Sequence, residues 1–105
     1  MTKIKSLRQL DKRTNSQGNK LAVFYDSGKA VRRIVTKEVV SLLGRLEVEV
    51  LYVNLTKLQE AGKEYGIWSS PVTFMPYRDG NLVDLPQNGS TTPSYLRRKL
   101  SEWYR

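Results

Sequence analysis

The run Asp26-Ser27-Gly28-Lys29 places a carboxylate, a hydroxyl and an ammonium on a turn that leads from an apolar stretch into a helical pattern. Amides at such a helix start have no partner within the helix and point outward with its positive end. Lys29, Arg32 and Arg33 add cationic charge nearby, so one reading is a site for phosphate, a carboxylate tail or an acidic peptide. The other reading is a capped helix start, with Asp26 or Ser27 as the cap and the cations solvated. Residue types alone leave both open.

Two absences restrict the chemistry further. The 105 residues contain no cysteine, which removes disulfide exchange, thiol nucleophiles, iron–sulfur ligation and most structural zinc sites. They contain no histidine either, the usual proton carrier near neutral pH and the commonest metal ligand. No metal and no cofactor is therefore expected. Eighteen Lys and Arg against ten Asp and Glu give a net charge of +8, which attracts polyanions through phosphate contacts or serves solubility alone. Arg97-Arg98-Lys99 would supply a second basic patch, though a solvated helix face explains it better. Tyr95, Trp103, Tyr104 and Arg105 mix aromatic and basic groups as nucleic-acid binders do, but the spacing assigns Trp103 to a core.

The length suits one domain, residues 1–105, with one hydrophobic core, and no run of 18 apolar residues exists to span a membrane. No apolar stretch follows Met1-Thr2-Lys3-Ile4-Lys5-Ser6, so no secretory signal is expected and the cytoplasm is the default location. The elements that must position the turn follow from hydrophobic spacing. A weak strand and helix occupy residue 3 to about residue 16. Leu21-Ala22-Val23-Phe24-Tyr25 is continuously apolar, as a strand buried on both faces would be. Val31, Ile34, Val35, Val39, Leu42 and Leu43 form one helical face that Gly44 would stop. Val48 to Val53 is a second strand, parallel to the first. Thr56-Lys57-Leu58-Gln59 has the spacing of a capping box, ahead of Leu58, Ala61 and Tyr65 on one face and a stop at Gly66. Val72 to Met75 and Leu82 to Leu85 flank an Asp79-Gly80 turn and read as a hairpin. Pro76 and Pro86 place those strands near the sheet edge or at their ends. Thr92 and Pro93 then open a helix whose Leu96, Leu100 and Trp103 face inward.

This order, with Glu64-Tyr65-Gly66-Ile67-Trp68-Ser69-Ser70-Pro71-Val72-Thr73-Phe74 and Lys20-Leu21-Ala22-Val23-Phe24-Tyr25, resembles the thioredoxin/glutaredoxin family along essentially the whole chain. The resemblance implies an α/β thioredoxin fold, a central mixed sheet flanked by helices. The family's Cys-x-x-Cys would fall on Ser27-Gly28-Lys29-Ala30, with Ser27 in place of the attacking cysteine and Ala30 of the resolving one. A one-residue slip, pairing Gly28 with Val31, is equally free of sulfur. The buried acid of thioredoxins would fall at Leu21.

By the same resemblance, Pro71 would be a cis-proline facing the turn, and the backbone of Ser69-Ser70 an open edge able to pair with an extended peptide. Trp68 would be an aromatic anchor there, or simply pack under the loop. The implied function is a redox-inactive module that binds a protein partner through Asp26, Ser27, Gly28, Lys29, Trp68, Ser69, Ser70 and Pro71. The alternatives are a basic nucleic-acid or polyanion binder and, less favoured, a glutathione-binding, transferase-like enzyme in which Ser27 hydrogen-bonds a thiolate. The sequence does not reveal the oligomeric state.

Overall fold

Leu21, Ala22, Val23 and Phe24 are buried on both faces of a sheet because helices cover it from both sides. The structure, a computed structural model, describes residues 2–26, 28–67, 72–88 and 92–105. In chain order its elements are β1 (Thr2–Lys3), α1 (Leu7–Thr14), β2 (Asn19–Tyr25), α2 (Gly28–Ile34), α3 (Lys37–Arg45), β3 (Val48–Asn54), α4 (Gln59–Tyr65), β4 (Val72–Arg78), β5 (Asn81–Leu82), β6 (Gln87–Asn88) and α5 (Pro93–Trp103). The strands run in the order β1-β3-β2-β4-β5, and β6 also pairs with β4. β1, β3 and β2 are parallel and β4 is antiparallel to β2, which is the mixed sheet expected.

Side chains alternate across a strand, so β2 feeds two cores. Leu21 and Val23 join Ile34, Val39, Leu96 and Leu100 under α2, α3 and α5. Ala22 and Phe24 join Leu10, Leu58 and Ala61 under α1 and α4. Leu96, Leu100 and Trp103 face inward as the spacing of α5 requires, and Thr92 Oγ1 accepts from Tyr95 N at its start.

Several local readings need correction. The apolar face from Val31 to Leu43 is not one helix. Thr36, with extended backbone, caps α3 by accepting from Val39 N, and this breaks the run after Ile34. Gly44 does not stop α3, which continues to Arg45; the reversal falls on Glu47 at φ 55°. The capping box does not form, because Asn54 takes Thr56 first: its Oδ1 accepts from both Thr56 N and Thr56 Oγ1. α4 then starts at Leu58 without a side-chain cap and ends at Gly66, whose φ of 69° suits glycine.

The Asp79–Gly80 turn does form, with positive φ at both residues as a type I′ hairpin needs. Its second strand is only Asn81–Leu82, however. Pro76 lies within β4, an interior strand, rather than at an edge. Its carbonyl accepts from Val83 N on the outer side, so its ring nitrogen faces that side too. There the ladder lapses between β5 and β6, and no donor is wanted.

Polar groups fasten the end of the sheet away from the turn at 26–29. Glu49 accepts from Thr2 Oγ1 (2.6 Å), Lys20 Nζ (2.8 Å) and Arg13 Nη1 (3.0 Å), joining β1, β2 and α1 to β3. Tyr104 is buried rather than offered to solvent as a stacking aromatic, and its hydroxyl donates to Lys20 O at 2.6 Å. Trp103 is buried as well and donates through Nε1 to Asp84 Oδ2.

Burial would raise the Glu49 carboxyl, but the bonds from Lys20 and Thr2 and the charges of Lys20 and Arg13 outweigh it and hold it below its ordinary 4.5. A carboxylate lowered on folding stabilises the fold above its unfolded value and loses that contribution as pH falls through the folded one. Glu49→Gln is expected to cost about 1 kcal/mol at neutral pH and to shallow the loss of stability below pH 4.5, read by denaturant melts across pH. Equal acid slopes in the two proteins would contradict the assignment.

Candidate functional site

β2 and β3 leave the sheet side by side, and Leu55 N extends their pairing by donating to Tyr25 O at 2.8 Å. Asp26 follows at the exposed end of β2 and α2 begins at Gly28. Lys29, Arg32 and Arg33 are all exposed. Arg32 folds back over the start of α2, with Nη1 3.3 Å from where a Gly28 side chain would begin. Gly28 and Arg32 are thus brought together, and no bond links Lys29 or Arg33 to them among the described residues.

Ala30 is half-buried and packs with Val31 against the core beneath α2. Leu21 is fully buried and apolar where the family resemblance places an acid. Ser27, Trp68, Ser69, Ser70 and Pro71 lie outside the described residues, and so does the expected cis bond before Pro71.

A cavity of about 280 Å³ opens beside Asp26, walled by Leu55, Thr56, Gln59, Lys63 and Ile67. Ile67 lines this hollow and is the last described residue before 68–71, the segment that the sequence proposes for binding. Its lining combines an apolar floor with one carboxylate, one ammonium, a hydroxyl and an amide. That set can hydrogen-bond a peptide. Gln59 and Lys63 escape sequence reading, since a 3.6-residue period marks them only as the polar face of α4. Among the described residues no group of three or more Asp and Glu is placed to hold a metal ion, and no helix is long and apolar enough to cross a membrane.

The floor of the hollow depends on a missing side chain. Gly62 O accepts from Ile67 N at 2.8 Å, and a Cβ on Gly62 would sit 3.0 Å from Ile67 O. Alanine in a helix interior normally gains about 1 kcal/mol over glycine. Here the close contact is with backbone that cannot swing aside, so Gly62→Ala is expected to lower the thermal midpoint, as followed by circular dichroism. A raised midpoint would show that residue 67 yields freely.

No protein-family model matches the sequence. No curated protein matches it either. Solved structures do. Thioredoxin from Fasciola hepatica is 23% identical, with a TM-score of 0.78 over 98% of this chain and 99% of that one. Thioredoxin from Trypanosoma brucei brucei is 20% identical, with a TM-score of 0.80 over 97% and 88%. Thioredoxin from Plasmodium falciparum is 16% identical, with a TM-score of 0.78 over 98% and 99%. Together with the strand order and the two helical layers, these likenesses make the chain a thioredoxin-fold protein that contains no cysteine.

Proposed function

We propose that this protein is a non-catalytic binding module that recruits a protein partner through the groove between residues 26–29 and 68–71. One observation carries the reading. The thioredoxin fold is present while every cysteine that could exchange electrons through it is absent. By the family resemblance Ser27 and Ala30, or Gly28 and Val31 one residue on, take the places of the family's cysteines, and what remains for the groove is recognition. The hollow walled by Asp26, Leu55 and Ile67 supports this reading, because it offers apolar area and mixed hydrogen-bonding groups next to that segment.

The test is an affinity capture from nuclease-treated native lysate with wild type and with the variants Trp68→Ala and Asp26→Ala, each checked for an intact fold. Both variants should lose the same captured protein, by tenfold or so for the aromatic anchor. Undiminished capture by folded variants would reject the groove, and robust insulin-disulfide reduction by the pure protein would reject the non-catalytic reading.

A specific observation also favours a second reading, polyanion binding. α3 and α5 pack together, and a groove of about 370 Å³ between them is lined by Lys37, Arg45 and Arg97, with Glu38 the one acid among its lining residues. Added to the net charge of +8, this gives phosphates a place to lie. Affinity for single-stranded nucleic acid should then fall linearly on a log scale with salt, and absence of binding at about 50 mM salt would remove this reading.

A further inference from the structure

Lys3, Lys5 and Lys57 are far apart in the sequence, yet they line one crevice with Tyr25 and Asn54 over a floor of Ile4 and Leu58. The crevice has a volume of about 350 Å³ and sits where three parallel strands end, Lys3 closing β1, Tyr25 closing β2 and Asn54 closing β3. Open α/β sheets bind their ligands outside the carboxyl ends of the strands, where the connecting loops diverge. This crevice is distinct from the hollow beside Asp26, and a ligand in it needs no partner in the groove between residues 26–29 and 68–71.

The framework is already fixed. Lys5 N donates to Gln9 Oε1 at 2.7 Å, which sets the turn after β1. Lys57 N and Leu58 N both donate to Asn54 O, which sets the turn after β3. Asn54 Oδ1 is occupied by Thr56, so Nδ2 is the group its amide can offer. The Tyr25 ring is held edge-on to Tyr52, with centroids 6.4 Å apart. Ile4 and Leu58 are nearly buried and present a small apolar floor. Only the lysine side chains must be ordered when something binds.

Charge then selects the occupant. No Asp or Glu lines the crevice, and among the described residues none of the three lysines has an ion-pair partner. Lys20 and Lys99 by contrast are paired with Glu49 and Glu102. Three lysines lining one hollow give it positive charge that an anion would neutralise. Lysine acts as a point charge and suits a phosphate dianion approached from several directions. No arginine lines this crevice, so its charges act as points and not as the planar fork that clamps carboxylate or phosphate bidentately. The apolar floor, the tyrosine ring and a volume at the lower end of the small-molecule range call for an organic body as well.

We propose that this crevice binds a small organic phosphate, its phosphate between Lys3, Lys5 and Lys57 and a ring of its body against Tyr25, Ile4 and Leu58. The donors nearest the phosphate would be the three ammonium groups and Asn54 Nδ2.

The full chain, labelled with 15N, is titrated with phenyl phosphate and with adenosine monophosphate, and with inorganic phosphate, phenol and a single-stranded oligonucleotide as controls. Saturable shifts at the amides of Tyr25, Asn54 and Lys57 are expected with at least one organic phosphate, at a dissociation constant tighter than about 1 mM. Inorganic phosphate and phenol should bind about tenfold more weakly, each lacking half of the recognition. Lys3 and Lys57 are exposed and unpaired, so Lys3→Gln and Lys57→Gln should fold normally and each weaken binding about fivefold. Arg97→Gln, in the groove between α3 and α5, should leave the affinity unchanged. The proposal is overturned if neither organic phosphate produces saturable shifts, if inorganic phosphate binds equally well, or if Lys3→Gln and Lys57→Gln bind as wild type does. Tight oligonucleotide binding sensitive to Arg97→Gln would assign the charge to a polymer instead and overturn it too.

Discussion

Strand β2 is hydrogen-bonded along its length to β3 on one side and β4 on the other, and it gives alternate side chains to two separate cores. That double commitment fixes its register. A slip of one residue would exchange the side chains of Leu21 and Val23 with those of Ala22 and Phe24 between cores shaped for the others. Both ladders and both helical layers would then have to reform, so the end of β2 is placed by the whole molecule. Asp26, the start of α2 and the crevice beside Tyr25 inherit their positions from it.

The two ends of the sheet are built differently. At the amino end of β2, polar side chains close the structure: Glu49 gathers Thr2, Lys20 and Arg13, Gly18 N donates to Asp79 Oδ1 while Asp79 N donates to Gly18 O, and Arg78 donates to Trp103 O. At the other end, among the described residues, the turns after β1 and β3 are set by Gln9 and by the Asn54 carbonyl and amide oxygens, and cavities lie beside them.

The sequence reveals the layers better than their punctuation. Continuity in residues 21–25, the period of α5 with Thr92 and Pro93, and the Asp79-Gly80 turn each reflect one dominant local term, and each reads true. The breaks fail where two local terms compete. Thr36 sits inside a face of uninterrupted apolar spacing, and only its capping bond to Val39 N divides α2 from α3. Thr56 has the right neighbours for a capping box but lies two residues from Asn54, whose amide reaches it first. Pro76 would be excluded from an interior strand, except that its missing donor meets a gap that depends on where β5 ends. Of the candidate site, Asp26 follows the end of β2 and Ala30 lies in α2. Leu55, Gln59 and Lys63 were illegible because a wall made by neighbouring loops leaves no period in the chain.

The two crevices share neighbours along the chain: Tyr25, Asn54 and Lys57 line one, and Asp26, Leu55 and Thr56 line the other. The two hollows therefore meet along the ends of β2 and β3, where Leu55 N donates to Tyr25 O. That backbone lines both hollows and is itself anchored in β2.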